Sequence, residues 1–363
     1  MFTLASKLFA PLVIGNLTLS HRAVMAPLTR YRADENHAHT DLGVQYYSQR
    51  AEVPGTLLIT EATLISPEAG GYDFVPGIWS DEQIKAWKKV TDEVHKRRSY
   101  IFLQLWALGR TAETKVLERE GISYVSASPI PMQEDGPIPR ALTEAEIKQY
   151  VEKYAQAAKN AVLKAGFDGV EIHSATGYLP DQFLQDVSNN RTDQYGGSIE
   201  NRARFVLEIT SAVAAAVGAN KTGIRFSPWN KFQGMGMQDP IPTYSYVVKE
   251  LARRHSDLAY IHFIESRMDE NPVELGYSND FARELWSPRP FLNAGGYNAE
   301  SAQEAVDKFE NNAVVFDRYF ISNPDLPERL KKGTLLSQYD RSTFFSRGPK
   351  GYTDYPKASK VQA

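Results

Sequence analysis

Eight short apolar runs, each strand-sized and each followed by a helix-like stretch, constrain this chain more than any other feature. They are Ala23–Leu28, Thr56–Ala62, Tyr100–Trp106, Gly169–Ala175, Gly223–Pro228, Ala259–Glu265, Pro290–Gly296 and Ala313–Arg318. Continuous apolar strands of this kind suit a parallel sheet covered on both faces. Between them, Asp81–Arg97 opens acidic and closes basic, as a helix dipole favours. Thr143–Ala165 opens Thr-Glu-Ala-Glu, a capping-box pattern, and stops before Gly166. Ser198–Val217 starts on a capping serine and stops before Gly218. Shorter helices are expected at Leu42–Ala51, Tyr244–Arg254, Asn279–Leu285, Ala299–Phe309 and Asp325–Lys332. Strands and helices in strict alternation predict an α/β fold of the closed (β/α)8, or TIM-barrel, type. A doubly wound open sheet is the alternative, but it starts with a glycine-rich turn after its first strand, and Leu28-Thr29-Arg30-Tyr31 is not one.

Two segments stand outside the repeat. Phe9–Leu19 reads as a hairpin turning at Gly15-Asn16 and closing the bottom of the barrel. Leu108–Leu142 is long and rich in Pro and Gly and reads as a lid inserted after the third strand. No linker divides the chain, so residues 1–363 are expected to form one domain. A barrel accommodates 363 residues in a single domain, and 42% hydrophobic with 23% charged residues is ordinary globular composition. The net charge of −3 lacks the basic footprint of a nucleic-acid partner. The absence of cysteine excludes disulfides, thiolate metal sites and a cysteine nucleophile. The N-terminal apolar run is broken by Pro11, Gly15 and Asn16, too interrupted for a signal peptide or membrane span. A soluble, cytoplasmic protein, monomer or homodimer, is expected.

Barrels of this kind carry their chemistry at the C-terminal ends of the strands. Here those ends hold Thr29, Glu61, Gln104, His173, Arg225, Glu265, the Gly295-Gly296 pair and Arg318. No strand carries a lysine, which argues against a Schiff-base aldolase. His262 and Glu265 are three apart on one strand and point to opposite faces, while His37 and His39 sit in a polar loop, so no metal site is assigned. Glu61 and Glu265 are the carboxylates a glycosidase would need, but no pattern pairs them. The remaining groups are neutral or cationic donors suited to an electron-rich ligand. A glycine turn after the seventh strand and an arginine after the eighth form the usual phosphate site of the fold, which predicts a phosphate-bearing cofactor.

The stretch His173–Tyr178 (HSATGY) is the most informative short motif. A lone barrel histidine is ordinarily a hydrogen-bonded core residue. A hydroxyl donor three residues on and a tyrosine five residues on suggest instead an anion hole beside a proton donor.

The surrounding sequence extends that reading. Residues His173–Phe205 (HSATGYLPDQFLQDVSNNRTDQYGGSIENRARF) closely resemble the fourth βα unit of the old yellow enzyme family of FMN-dependent ene-reductases. So do MAPLTRYRA (Met25–Ala33), YYSQRA (Tyr46–Ala51), GTLLITEAT (Gly55–Thr63) and GIWSDEQIKAWKKV (Gly77–Val90). FLQLWALGR (Phe102–Arg110), GIRFSPW (Gly223–Trp229), NAGGY (Asn293–Tyr297), RYFISNPDLPERLKKG (Arg318–Gly333) and GYTDYP (Gly351–Pro356) continue it to the end of the chain, in a fungal flavor. The resemblance implies a protein that binds FMN and uses NADPH or NADH to reduce the C=C bond of an enone or enal. By resemblance, Pro27, Leu28 and Thr29 line the flavin, Ala62 leaves room for its ring, Gln104 bonds the pyrimidine edge, and Arg225 lies near N1 and O2. Gly295, Gly296 and Arg318 hold the phosphate. Phe344 and Phe345 stand at the dimethylbenzene side and the pocket mouth. His173 and Thr176 polarise the substrate carbonyl, and Tyr178 protonates the α-carbon.

Four positions depart from that family. Thr176 stands where the family has Asn or His, which weakens the anion hole. Asp317 replaces a glycine before the phosphate-binding Arg318 and places a carboxylate beside a phosphate. Arg98 replaces a glycine in the turn before the third strand, at a cost of about 1 kcal/mol if that turn needs φ > 0. Phe345 replaces a tyrosine. These changes keep two alternatives open: a redox-neutral FMN-dependent isomerase or cyclase of a secondary-metabolite pathway, and a catalytically impaired homologue that only binds.

Overall fold

The computed structural model describes residues 6–266 and 277–358. Eight parallel strands close on themselves: β1 Ala23–Met25, β2 Leu57–Ile59, β3 Tyr100–Trp106 and β4 Gly169–His173. Then follow β5 Thr222–Phe226, β6 Tyr260–Ile264, β7 Phe291–Ala294 and β8 Asn312–Phe316. Each pairs with its neighbour in chain order, and β8 returns to β1 in the register Val314↔Ala23 to Phe316↔Met25. The helices of the outer ring are α1 Asp41–Arg50, α2 Asp81–Lys96, α3 Glu144–Lys159 and α4 Ile199–Val217. They continue as α5 Ile241–Arg254, α6 Asp280–Trp286, α7 Ala299–Lys308 and α8 Leu326–Lys332. This is the closed (β/α)8 barrel.

The apolar runs divide by strand parity. Leu103, Leu105, Ile172, Ile224, Phe226, Ile261, Phe263 and Val314 belong to the large core between sheet and helices. Val24, Leu57, Ile59, Phe102, Tyr260, Leu292, Ala313 and Val315 form a second core inside the ring. The hairpin of Leu12–Ile14 and Leu17–Leu19 adds Ile14 and Leu19 to that inner core and closes the barrel from below. Its turn needs Gly15, at φ 54°, because a Cβ there would come within 1.9 Å of the Asn220 carbonyl oxygen.

Several strands stop short of their apolar runs. The strand of the run Ala23–Leu28 ends at Met25 and that of Gly169–Ala175 at His173, each followed by one more bond to the neighbouring strand, from the Ala26 and Ser174 N–H groups. Beyond Ala26, Pro27 has no N–H to donate to a ladder. Helix α3 begins with the anticipated capping box between Thr143 and Glu146. It ends in a π turn, Asn160–Lys164, where the Asn160 amide donates to the Ile78 carbonyl. Leu108–Leu142 carries secondary structure of its own. It contains a helix, Thr114–Glu120, and a parallel strand pair, Val125–Ser126 with Arg140–Ala141. Both strands are two residues long, too short for a periodic pattern to register.

Arg98 adopts φ 60° in the turn before β3, and its side chain is exposed. A left-handed backbone costs an L-residue about 1–2 kcal/mol, partly offset in a glycine by greater freedom of the unfolded chain. Arg98→Gly is expected to stabilise the fold by about 1 kcal/mol, read as a higher urea midpoint at unchanged slope.

Candidate active site

The polar positions of the barrel interior gather on one side. Gln104, Glu171, His173, Arg225 and His262 come from β3 to β6 and are all buried, whereas β7, β8, β1 and β2 contribute aliphatic side chains. His173 and Arg225 are register neighbours at the upper ends of β4 and β5. The His173 Nδ1 and the Arg225 Nε are buried without a protein partner. Leaving such groups unpaired costs about 1–3 kcal/mol each unless a ligand satisfies them. Burial, with the Arg225 and His262 charges, pushes the His173 imidazole well below its ordinary pKa, so it is neutral at neutral pH.

The Tyr178 ring lies edge-on to His173, with centroids 4.6 Å apart. Burial pushes its phenol up to about 12, so it keeps its proton. The loop joining the two is held by buried groups. Ser227 Oγ accepts the Thr176 N–H at 2.7 Å, and Asp181 Oδ2 accepts the Gly177 N–H at 2.9 Å. Gln182 Nε2 donates to the Gly177 and Leu108 carbonyls, while its Oε1 accepts from the Arg110 N–H and from Ser126 Oγ. Gln182 thereby ties the 108–142 segment to the loop of Tyr178. Arg110 extends the tie to the far side of the mouth through the Gln233 and Gly234 carbonyls. Thr176 sits in this loop at φ 53°, a left-handed conformation that disfavours a β-branched residue.

The residues assigned to a flavin stand at or just past the C-terminal halves of their strands. Pro27 is buried, and Leu28 and Thr29 are half-buried, just past β1. Ala62 is buried past β2, in an apolar cluster with Trp106 and Leu108 that Tyr31, Tyr72 and Tyr178 cover. Gln104 donates its Nε2 to Glu171 at 2.7 Å. At the phosphate end, Gly295 and Gly296 follow β7 with φ 147° and 69°, and a Cβ on Gly296 would point into open space. The Arg318 N–H, past β8, is bonded by the Asp317 carboxylate at 2.6 Å, which caps the short helix Arg318–Ser322. The Asp317 charge also reaches Arg225. Open space at Gly296, the orphaned His173 and Arg225 nitrogens and a neighbouring amide edge fit FMN; the Asp317 carboxylate on the Arg318 amide competes with its phosphate.

Phe344 is half-buried, 5.6 Å from the Tyr339 ring, and its carbonyl accepts from Arg30 Nε. Phe345 is 64% exposed and meets the edge of Tyr31 at 5.6 Å. From there an aromatic wall runs inward through Tyr31, Tyr72 and Trp106 to Tyr178 and His173, at steps of 4.6 to 6.1 Å. Motif reading did not single out Tyr31, Tyr72 and Trp106: Trp106 ends an apolar run and looks like core, and Tyr31 and Tyr72 lie in polar loop sequence. Glu171 and His262 were missed too. Counting two residues back from His173 along one strand face marks Glu171 as inward-pointing. Two strand-end carboxylates lie outside the site. Glu61 turns toward the helix layer, where it accepts the Arg30 N–H and lies 3.3 Å from His39. Glu265 accepts from Asn293 and from the Asn279 N–H.

Residues 7–337 match the NADH:flavin oxidoreductase / NADH oxidase family. The chain is 52% identical to a chanoclavine-I aldehyde reductase, fgaOx3, of Penicillium roqueforti, covering 98% of each chain. It is 50% identical to a probable inactive reductase, easA, of Epichloe festucae var. lolii, covering 97% of this chain and 95% of that one. Among solved structures it resembles an Old Yellow Enzyme from Pichia with TM-score 0.91 and 42% identity, covering 97% of this chain and 94% of the other.

The self-capped amide yields a measurable consequence. Asp317→Gly removes both the competing acceptor and the like charge, and is expected to tighten FMN binding by about 1–2 kcal/mol after screening. Equilibrium titration of apoprotein with FMN reads this directly. Equal or weaker affinity in the variant would show that Asp317 does not oppose the phosphate.

Proposed function

The chain belongs to the NADH:flavin oxidoreductase / NADH oxidase family, and from that premise we propose which groups carry its chemistry. It is an FMN-dependent oxidoreductase that reduces the C=C bond of α,β-unsaturated carbonyl compounds with a nicotinamide as hydride donor. When bound, FMN supplies the hydride chemistry, taking hydride from NADPH or NADH and giving it to the β-carbon of the alkene.

The chain's own residues do the rest. His173 and Thr176 hold the carbonyl oxygen and stabilise the negative charge that grows on it as hydride arrives. Tyr178 passes its proton to the α-carbon and regains one from solvent. The observation that carries this reading is a neutral His173, its Nδ1 without a protein partner, beside the protonated Tyr178, with ring centroids 4.6 Å apart. Arg225 and Gln104 face the flavin edge that becomes electron-rich, and a fixed cation there favours the reduced state. Pro27, Leu28, Thr29 and Ala62 line the ring; Gly295, Gly296 and Arg318 cradle the phosphate; Phe344 and Phe345 border the mouth. The 108–142 segment serves as a lid within one domain, and the wall of Tyr31, Tyr72 and Trp106 suits a flat, conjugated aldehyde or ketone. A cytoplasmic location fits the absence of cysteine. Among the described residues no helix is long and apolar enough to cross a membrane.

The Asp317 carboxylate on the Arg318 N–H favours a second reading, a catalytically impaired homologue, and a redox-neutral FMN enzyme is the remaining alternative. Turnover of substrate without NADPH consumption identifies the redox-neutral case; absence of flavin reduction identifies the impaired one.

Tyr178→Phe keeps the ring and removes the acid. Alkene reduction is expected to fall by roughly 10²-fold or more while flavin reduction by NADPH stays nearly unchanged, as separated by stopped-flow half-reactions. If both half-reactions fall together, Tyr178 is not the proton donor. Thr176→Asn supplies an amide donor and relieves the strained threonine, since asparagine tolerates a left-handed backbone. The pre-reduced variant, at equal FMN occupancy, is expected to reduce a small cyclic enone faster, whereas His173→Ala nearly abolishes that step. An unchanged or slower rate in Thr176→Asn would assign position 176 to the shape of a bulkier substrate.

A further inference from the structure

One buried group takes no part in the scheme above. Glu171 lies inside the barrel, two residues before His173 on β4, with its side chain fully buried. Its Oε1 accepts from Gln104 Nε2 at 2.7 Å, and its Oε2 lies 2.9 Å from His262 Nδ1. The four strands involved are consecutive. Gln104 is the register partner of Glu171, and His262 is the register partner of Arg225. Between them, opposite Glu171 on β5, stands Gly223. A Cβ at Gly223 would come within 2.4 Å of the Tyr260 ring, so this position has no room for a side chain.

A buried carboxylate is a poor way to stabilise a core; apolar residues of similar volume are often as good or better. Burial alone would raise the Glu171 carboxyl, but His262, Arg225 and Gln104 together hold it below the ordinary carboxylate range. The cluster therefore keeps a negative charge beneath Arg225. It also fixes an orientation. With one Nε2 hydrogen committed to Glu171, Gln104 has its Oε1 and one N–H left for a ligand. A flavin pyrimidine edge presents an N–H beside a carbonyl oxygen, the complement of that pair.

Resting on the reading of this site as a flavin site, we propose that Glu171, braced by His262, is a positioning residue for the flavin edge. It sets which face of the Gln104 amide meets the cofactor, and it offsets the Arg225 cation, so it tunes both the affinity for FMN and its reduction potential.

The two roles predict a paired signature. Glu171→Gln is nearly isosteric, replaces an acceptor-only carboxylate with an amide that can present either its oxygen or its N–H to Gln104, so that the Gln104 orientation is no longer fixed, and removes one negative charge. Oxidised FMN is expected to bind about tenfold more weakly. Reduced FMN loses less, because the Arg225 charge is no longer offset, so the midpoint potential moves positive. His262 supplies a second pair of variants. Asparagine places an N–H near the position of the imidazole Nδ1, so His262→Asn is expected to stay close to the parent protein in both measurements. His262→Leu leaves the carboxylate short of a donor and is expected to bind FMN more weakly than His262→Asn. FMN titration of each apoprotein, a spectroscopic redox titration and a thermal melt of the apoprotein provide the readings. A merely structural role would lower the melting temperature of Glu171→Gln and leave its FMN affinity and potential unchanged, which overturns the proposal. So would a potential that moves negative. If Glu171→Gln fails to fold, equal FMN affinity in the asparagine and leucine variants of His262 overturns it. Failure of the parent protein itself to bind FMN would instead strike the flavin reading.

Discussion

Closing the sheet on itself is the constraint on which the rest of this structure depends. A ring of strands has no edge, so every residue of every strand points either into the barrel or out toward the helices. The β8–β1 pairing completes the ring with three register pairs. The outer face then builds the main core and the inner face a second, smaller one. Any polar residue on an inward position is removed from water with no route out. Gln104, Glu171, His173, Arg225 and His262 are in that position, so each must find a partner in the protein or in a ligand. Glu171 satisfies two of the others, while His173 Nδ1 and Arg225 Nε stay unmatched. The chemistry is thus concentrated where the barrel has left hydrogen-bonding capacity unused.

Above the ring, precision comes from saturation. Asp181 and Gln182 are fully buried in the short helix after Tyr178, and between them they bind the Gly177 N–H and carbonyl, the Leu108 carbonyl and the Arg110 N–H. A loop with this many backbone groups held by buried neighbours resists movement, which is what a proton donor needs if it is to meet one carbon atom. The same contacts couple the segment after β3 to the loop after β4, so the mouth of the site is assembled from distant parts of the chain.

Strain collects at the same place. Of the six non-glycine residues with positive φ among those described, Thr176, Tyr31 and Gln233 border the mouth. Tyr31 packs tilted against Tyr72 and edge-on against Phe345, and Gln233 lies against Gly177. Each such residue costs on the order of 1–3 kcal/mol and persists because its surroundings overdetermine it. Asp317 belongs to the same picture in another form: its carboxylate accepts the N–H of the next residue, Arg318.

Much of this was legible in the chain itself. Eight apolar runs in alternation with capped helices allow little besides a closed barrel, because local periodicity and capping act over a few residues. Thr143 with Glu146, and Gly15 at its turn, behave as their local chemistry requires. The motif His173–Tyr178 and the Gly295-Gly296 turn were visible for the same reason. Other features needed the tertiary structure. That Glu61 turns out to the helix layer while Glu171 turns in, that the wall of Tyr31, Tyr72 and Trp106 converges on Tyr178, and that Asp317 bonds the Arg318 N–H rather than pointing away, all depend on which strands become neighbours and how the chain leaves them. Sequence by itself determined the barrel and the residue types at its mouth, since these follow from short-range patterns. Only the folded structure decided which of those residues face one another, because ring closure brings together groups as far apart as Gln104 and His262 whose contact no local pattern encodes.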